Sequence, residues 1–393
     1  MVSAAGRAGR VTKRILYVQY ANPGSYPPLE HSVQILTDSG WLVYLLGVIV
    51  PGQESIVFPI NAGIHSIVLP ACKPGWRQKL HYLRFLLYTC WLAIRYDCRW
   101  IYASDLFSTP VALVLKILLH RRVVYHEHDS PGKETGSVFI RICMRCRAWL
   151  ARRADLIVFP NEERGRQFAV DAGISNEKIL TVWNCPAKSE AEGSHDDKKD
   201  EFWLIFHGSI VPDRLPLAMV QALTLLPDQV KLRVIGYETV GSVGYVAKML
   251  SLARELGVYH RIQFLGSLPR SDVLSWCRQS DVGLSFMPMK NNDLNMLNMT
   301  GASNKPFDNL AAGIPLIVSD LKDWNEMFVD AGYALSCNPD IFSSIAEAAL
   351  WFYDHPSETR SMGEEGRRKI TSAWNYEQQF SRVLEQLTAG IDG

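Results

Sequence analysis

The chain has 393 residues, 48% of them hydrophobic and 21% charged, with 41 Lys+Arg against 40 Asp+Glu. This length allows two to three domains with well-buried cores, and the composition excludes a disordered, collagen-like or coiled-coil protein. No apolar run approaches the roughly 20 residues of a membrane-spanning helix. The basic stretch 1–14 leads directly into a short strand-like run, which is not typical of a signal peptide. We therefore expect a cytoplasmic protein.

Eight cysteines are scattered along the chain. The close pair Cys143 and Cys146 has no second pair or histidine partner that would complete a zinc site. This spacing indicates reduced thiols rather than a disulfide framework, and no structural metal is expected.

Charge divides the chain near its middle. Up to Cys185 there are 22 Lys+Arg and 13 Asp+Glu, whereas from Pro186 onward there are 19 and 27. A basic half suggests an anionic partner. The stretch 186–201 lacks any large apolar side chain and indicates a solvated linker. We predict a first domain at 1–185, this linker at 186–201, a second domain at 202–372, and a terminal helix at 373–393 that packs back on the first domain or covers a sheet.

Short β-branched and aromatic runs alternate with helical patterns in both halves. In the first half, strands are predicted at 15–20, 41–46, 64–69, 100–103, 123–126 and 156–159, with a helix at 29–39. In the second half, strands are predicted at 202–206, 230–235, 262–265, 282–286 and 316–318, and helices at 215–226, 243–256, 271–278 and 305–312. The stretch 340–387 reads as three helical windows. The alternation predicts two doubly wound α/β domains with a cleft between them and ligands at the carboxyl ends of the strands.

Common nucleotide and hydrolase motifs are missing: there is no GxGxxG after the first strand, no GxxxxGK[ST], no GxSxG and no HExxH. A first candidate site follows the strand at 202–206, where Gly208 permits a close backbone approach and the next helix offers free N–H groups to a phosphate. Arg214 would add a bidentate cation. The alternative is a plain strand–turn–helix with a surface arginine.

A second candidate is the segment 303–318, which opens with Ser303 or Asn304 as a helix cap and ends its helix at Gly313. The Asp308 carboxylate can accept hydrogen bonds from two vicinal hydroxyls, and Lys305 lies one turn earlier on the same face. An ordinary surface ion pair between Lys305 and Asp308 is the alternative.

These residues resemble a known family. The segment 304–315 (NKPFDNLAAGIP) is similar to the donor-binding signature of retaining glycosyltransferases with the GT-B fold, of the group 1 type (glycosyltransferase family 4-like). Further similar segments follow in the family's order along nearly the whole chain: 153–162, 178–186, 261–266 and 280–284.

The resemblance implies a fold of two Rossmann-like domains, with a nucleotide-sugar donor on the second and an acceptor on the first. It implies ribose binding by Asp308, a grip on the diphosphate by Arg214 and support from Lys305. The donor would also contact Asn304, Gly208 and Ser209, and Gly24, in the loop after the first strand, would approach it. No metal or other cofactor is implied, and a UDP- or GDP-sugar is the expected co-substrate.

Two positions depart from the family pattern. Thr300 stands where the family often carries an acidic residue, eight positions before the ribose carboxylate. Ser209 stands near the first of two basic residues that commonly follow the glycine turn.

A third candidate, His126-Glu127-His128-Asp129, ends a predicted strand of the first half. His128 or Asp129 could take the proton of an acceptor hydroxyl, and His126 could hydrogen-bond the acceptor. Because adjacent strand residues point to opposite faces, a metal site formed by all four is not expected. Ser104 and Asp105, which end the preceding strand, are weaker acceptor-binding candidates.

A long basic helix is predicted at 76–100. One stripe carries Trp76, Leu80, Leu83, Leu87, Trp91 and Ile94, and a second carries Arg77, His81, Arg84, Tyr88 and Arg95. A second basic window, 138–153, contributes five arginines. Such helices suit the surface of an anionic membrane. Alternatively, the apolar stripe is core and the cations form a solvated face. No nucleic-acid recognition module is evident.

The resemblance implies a hexosyltransferase-type glycosyltransferase that transfers a sugar to a hydroxyl acceptor with retention. The acceptor would be a lipid-linked or cell-surface glycan precursor of polysaccharide biosynthesis, used at the inner face of the cytoplasmic membrane. The alternatives are a nucleotide-sugar epimerase or hydrolase on the same fold, and a non-catalytic partner subunit.

Overall fold

The computed structural model describes residues 13–50, 58–59, 61–72, 75–132, 137–193 and 201–392. Most of the basic stretch 1–14 and residues 194–200 of the predicted linker lie outside these described residues. The chain divides into two compact units, one of Met1–Val182 with Phe380–Gly393 and the other of Trp183–Gln379.

The first unit is built on a parallel sheet, seven-stranded over the described residues. Its strands are β1 (Arg14–Gln19), β2 (Leu42–Val48), β3 (Ile64–Leu69), β4 (Trp100–Ser104), β5 (Arg122–His126), β6 (Leu156–Phe159) and β7 (Ile179–Thr181). Its helices are α1 (Pro27–Asp38), α2 (Trp76–Arg95), α3 (Thr109–Leu118), α4 (Val138–Arg153) and α5 (Glu162–Ala172).

The second unit has a parallel sheet of its own, six-stranded over the described residues. The strands are β8 (Phe202–Ile210), β9 (Val230–Glu238), β10 (Ile262–Gly266), β11 (Val282–Ser285), β12 (Leu316–Ser319) and β13 (Ala334–Cys337). The helices are α6 (Leu217–Ala222), α7 (Tyr245–Glu255), α8 (Arg270–Arg278), α9 (Leu294–Leu297), α10 (Asn304–Ala311), α11 (Lys322–Trp324), α12 (Phe342–Asp354) and α13 (Pro356–Ser372). A last helix, α14 (Tyr376–Asp392), begins in this unit, and its residues from Phe380 onward belong to the first.

Both sheets have the doubly wound strand order. The first runs β3-β2-β1-β4-β5-β6-β7 and the second β10-β9-β8-β11-β12-β13, and the strand pairs of the described residues are parallel. The order reverses between β1 and β4 and between β8 and β11, and ligands of such sheets bind beyond the carboxyl ends of the strands at these points. The prediction of two Rossmann-like α/β domains is confirmed.

Apolar side chains on both sheet faces hold each unit together. In the second unit, one core on β8, β9 and β11 packs against α6, α7 and α12, and a smaller one around Ile205 and Ile235 packs on the opposite face. Because both faces are covered by helices, the strands are nearly continuously apolar.

Two glycines allow β8 and β9 to approach each other where they reach the candidate site. Gly208 has φ +108° and Gly236 has φ +149°, backbone angles that residues other than glycine rarely adopt. A Cβ built on Gly236 would lie 1.8 Å from the carbonyl oxygen of Gly208. A side chain at position 236 would therefore collide with the Gly208 backbone, so the close approach near the end of β8 requires glycine.

The differences from the prediction include an edge strand of the second sheet and part of the linker. The strand β13 was not predicted: it pairs with β12 at the edge of the second sheet. Residues 186–193 of the predicted linker are not a solvated connection, because Tyr376 N–H donates to Pro186 O, and Ala191 is buried. In the part of the chain that the structure describes, no helix has the length and apolar character needed to cross a membrane.

Candidate active site

Three residues predicted to bind a donor meet at the carboxyl end of β8. A Cβ on Gly208 would lie 2.9 Å from Cε and 3.1 Å from Nζ of Lys305, so the ammonium group lies over this glycine. Burial and the neighbouring charge of Arg214 hold the pKa of Lys305 well below its usual range. The Arg214 guanidinium lies 3.7 and 3.8 Å from the sulfurs of Met296 and Met299. Two neighbouring basic side chains, one of them buried, form a position suited to an anion.

Lys305 lies in the first turn of α10 and is 6% exposed. It forms no ion pair among the described residues, since the nearby carboxylate of Asp308 is engaged by Arg270. The alternative of a surface ion pair between Lys305 and Asp308 is therefore wrong: both side chains are buried and they do not pair.

Asp308 lies one turn further along α10 and is 2% exposed. Its Oδ1 accepts a hydrogen bond from Arg270 Nη2 at 2.8 Å and its Oδ2 accepts one from Nη1 at 3.2 Å. Arg270 also donates to Glu190, from Nε at 2.6 Å and from Nη2 at 3.0 Å. One guanidinium thus bridges two carboxylates.

Sequence reasoning missed Arg270 and Glu190. A signal was available for Arg270, since it is the first residue of α8, where a cation opposes the helix dipole and needs a counter-ion. Glu190 lies in the stretch interpreted as a solvated linker, where a carboxylate needs no partner, so the sequence carried no signal for it.

The structure also places the other residues predicted to bind the donor, Ser209 and Asn304, and the departure from the family pattern at Thr300. Ser209 and Asn304 are half-buried, at the end of β8 and the start of α10. The Thr300 hydroxyl donates a hydrogen bond to the carboxylate of Asp323. A carboxylate therefore lies beside Thr300, although it comes from α11 and not from position 300.

The acceptor-binding candidates converge at the carboxyl ends of β4 and β5. His126 Nδ1 lies 2.7 Å from the Tyr102 hydroxyl, and His128 Nε2 lies 3.1 Å from Ser104 Oγ. The two imidazole rings are 3.9 Å apart between centroids. Burial lowers the pKa of His128 to about 4, so this ring is neutral near pH 7.

Asp105 belongs to the same cluster. Its Oδ1 accepts the His128 backbone N–H at 2.9 Å, and burial raises its pKa to about 7. Its backbone has φ +61°, a conformation that costs energy outside glycine and clusters at functional sites. Asp129, by contrast, is exposed and lies 3.7 Å from Arg164.

Glu127 faces away from the two histidines. It accepts hydrogen bonds from Arg147 at 2.5 and 2.6 Å and from the Tyr125 hydroxyl. Within the described residues, no group of three or more His, Cys, Asp and Glu side chains is arranged to hold a metal ion.

The loop after β1 reaches this cluster. Asn22 caps the turn by accepting the Gly24 N–H at 3.1 Å, and the Tyr26 ring lies 5.4 Å from the His128 ring. The first sheet therefore carries a buried polar cluster at its switch point, formed by Ser104, Asp105, His126 and His128 and flanked by the loop of Gly24.

Comparison with known proteins agrees with this architecture. A family model described as glycosyl transferase-like matches residues 217–385, whereas no curated protein matches the chain in sequence. Among solved structures, Anabaena HepE in complex with UDP has a TM-score of 0.69 and 16% identity, covering 96% of this chain and 100% of that one.

Two further solved structures have the same architecture. Sucrose-phosphate synthase from Thermosynechococcus elongatus has a TM-score of 0.68 and 15% identity, over 96% of this chain and 100% of that one. A UDP-N-acetylglucosamine 2-epimerase from Listeria monocytogenes, described as putative, has a TM-score of 0.64 and 13% identity, over 97% of each chain. The fold is GT-B, and the residues that match the glycosyl transferase-like model lie almost entirely in the second unit.

Proposed function

We propose that this protein is a glycosyltransferase of the group 1 type that uses a nucleoside-diphosphate sugar held by the second unit. The observation that carries the proposal is the buried ammonium group of Lys305, which lies over Gly208 beside Arg214 and forms no ion pair among the described residues. A diphosphate would supply the missing negative charge.

The reaction would begin with departure of the nucleoside diphosphate. Arg214 and Lys305 would stabilise the charge that develops on the leaving phosphate, where preorganised cations contribute most. Asp308 would accept hydrogen bonds from the ribose hydroxyls, and Ser209 and Asn304 would contact the donor. The Anabaena complexes with UDP and with UDP-glucose support a uridine nucleotide as the first choice.

The first unit would bind the acceptor through the cluster at the ends of β4 and β5. The neutral His128 imidazole is suited to receive the acceptor proton, whereas the exposed Asp129 is less protected from water. His126, Ser104 and Asp105 would orient the acceptor hydroxyl, and the loop of Gly24 would border the donor. Retention of configuration and a hexose as the transferred sugar are part of this proposal.

We also propose peripheral contact with an anionic membrane, through the surface of α2, α3 and α4. On α2, six large apolar side chains are between 49 and 66% exposed: Trp76, Leu80, Leu83, Leu87, Trp91 and Ile94. The opposite face of the helix packs on the core through Phe85 and Leu92. The stripe is therefore not core, and its exposure is unusual for a water-soluble surface.

Charge favours a lipid surface as the occupant. The helix α2 contains four cationic residues and no acidic one, and α4 contains no acidic residue and four arginines besides Arg147, which pairs with the buried Glu127. Between them, α3 contacts both helices and exposes Ile117 and Leu118. Basic residues interleaved with aromatic ones suit the interface of an anionic bilayer. A lipid-linked, phosphate-bearing glycan precursor is the acceptor that fits this surface, and the inner face of the cytoplasmic membrane is the corresponding location.

A nucleotide-sugar epimerase or hydrolase is the second candidate function, because the solved Listeria protein described as a putative epimerase has the same fold. Such an enzyme would use the same donor site without an acceptor. Conversion of the donor in the absence of any acceptor would favour it. A non-catalytic subunit would bind no donor productively.

Nucleotide binding is the first test. We expect one of UDP, GDP, ADP, CMP and dTDP to raise the melting temperature of the protein, with UDP or GDP the most effective. Asp308→Asn should abolish most of this shift, because the amide cannot accept two hydrogen bonds from a ribose in the same geometry. Asp228→Asn, at an exposed carboxylate that precedes β9, serves as the control and should respond like the wild type. A wild-type protein that no nucleotide stabilises would contradict the proposed function.

A further inference from the structure

We propose that Arg270 is a positioning residue for ribose recognition, holding the Asp308 carboxylate in place while Glu190 holds Arg270 from its other side. This inference rests on the proposed function and adds two residues to it, neither of which was predicted from the sequence. It predicts that the preference for ribose over 2′-deoxyribose depends on a side chain that need not touch the sugar.

The hydrogen bonds from Arg270 restrict the carboxylate of Asp308. Each oxygen of Asp308 accepts one hydrogen bond from Arg270, at 2.8 and 3.2 Å. A carboxylate offers about four acceptor positions, so this pairing occupies one edge and leaves the rest for other donors. Two bonds to one rigid guanidinium fix the plane of the carboxylate as well as its position.

Burial makes this counter-ion necessary. The Asp308 side chain is almost fully buried, and an ionised carboxylate in such surroundings requires a hydrogen-bonded partner. Lys305 does not fill that role, because it forms no ion pair among the described residues. Arg270 therefore neutralises the carboxylate and leaves Lys305 free to meet a phosphate.

Glu190 fixes Arg270 in turn. It takes two hydrogen bonds from the guanidinium, at 2.6 and 3.0 Å, and its Oε2 also accepts the Ala187 N–H at 2.8 Å. The turn that carries Glu190 is itself anchored, since Arg278 donates to the Glu190 carbonyl and Arg367 to the Gly193 carbonyl. Without Glu190, the guanidinium would be free to swing away from Asp308.

The test compares UDP with 2′-deoxy-UDP by isothermal titration of the full chain, or the guanosine pair if GDP binds better. The wild type should prefer the ribonucleotide by about 10-fold or more, as expected for hydrogen bonds to a charged group. Arg270→Met should reduce this preference towards 1, and Glu190→Gln should reduce it partially. Arg270→Lys should keep only part of the ribose preference of the wild type, because an ammonium group cannot pair with both carboxylate oxygens in one plane.

Arg261→Met is the matched control. Arg261 is a buried arginine of the same unit, but it donates to the carbonyls of Leu223, Leu226, Pro227 and Val230, away from Asp308. We expect it to lower the melting temperature without changing the ribose preference, which separates positioning from general stability.

The outcomes are distinct. If no nucleoside diphosphate binds to the wild type, the proposed function and this inference both fail. If the ribonucleotide preference is present and is lost in Asp308→Asn but unchanged in both Arg270→Met and Glu190→Gln, the proposed function stands and the inference is overturned. Loss of the preference in Arg261→Met as well would also overturn it.

Discussion

Lys305→Met is expected to lower the rate of sugar transfer by about 100- to 1,000-fold, the usual effect of removing one preorganised group that stabilises a leaving oxyanion. The same substitution should raise the free energy of unfolding by about 1 kcal/mol or more, because it replaces a buried ammonium group that forms no ion pair among the described residues with an apolar side chain of similar size. Opposite effects on activity and stability are the signature of a residue that serves the ligand. The measurements are steady-state kinetics and denaturant unfolding.

Lys231→Met is the control for this prediction. Lys231 lies at the amino end of β9, where it pairs with Glu201. Its substitution should leave the transfer rate unchanged. If Lys305→Met retained the full transfer rate, the role assigned to Lys305 would be wrong. It would also be wrong if the substitution lowered the free energy of unfolding together with the rate.

The pH dependence of donor binding follows from the same residue. In the free protein, burial and Arg214 lower the pKa of Lys305. A bound diphosphate favours the charged form and raises that pKa, so the protein takes up a proton on binding between the two values. Donor affinity should therefore fall as the pH rises through this window, and Lys305→Met should lose that dependence.

Replacing Leu80, Leu87 and Trp91 together by glutamine should reduce binding to anionic vesicles by about 100-fold or more. Burying each of these side chains in a membrane interface contributes on the order of 1 kcal/mol or more, and all three lie on the exposed stripe of α2. The fold should be unaffected, since none of them belongs to the core. Sedimentation with phosphatidylcholine vesicles, with or without phosphatidylglycerol, measures the effect.

Val170→Gln is the control, because Val170 is exposed on α5 of the same unit but lies outside the α2 stripe. Binding by the wild type should also weaken with added salt, since the cations of α2 contribute through screened charge interactions. Equal binding of the wild type and the triple variant, or equal binding to neutral and anionic vesicles, would contradict a role for this surface.

Most of the fold could be predicted because its signal is local. Runs such as Ile15–Val18 and Leu204–Phe206 are buried on both faces, so β-branched and aromatic residues accumulate there in sequence. The strand β13 was not predicted because its central residues Leu335 and Ser336 are only half-buried at a sheet edge. Edge strands carry a weaker hydrophobic pattern.

The candidate site could be predicted where a local sequence signal marks its residues. Lys305 and Asp308 lie one turn apart on α10, and their spacing indicated a shared role. Arg270 lies 38 residues from Asp308 and 80 residues from Glu190 along the chain. A pairing of this kind has no spacing rule, so the fold is needed to find it.

For helix α2, the sequence could not show which face is exposed. Its apolar stripe has the spacing of a core-facing helix, and periodicity cannot tell which of two apolar faces is buried. The structure shows that Tyr82, Phe85 and Leu92 face the core while Trp76 and Trp91 are exposed. Burial is a tertiary property, and only the structure excludes the alternative in which the stripe is core.

We propose that the second unit binds the donor where β8 ends and α10 begins. Hydrogen–deuterium exchange of the full chain, with and without the stabilising nucleoside diphosphate at saturation, tests it most directly. We predict slower exchange in peptides covering 206–214 and 303–311, with Asp308→Asn losing the protection. Protection confined to the ends of β4 and β5, or no protection in either of the two predicted peptides, would contradict the account.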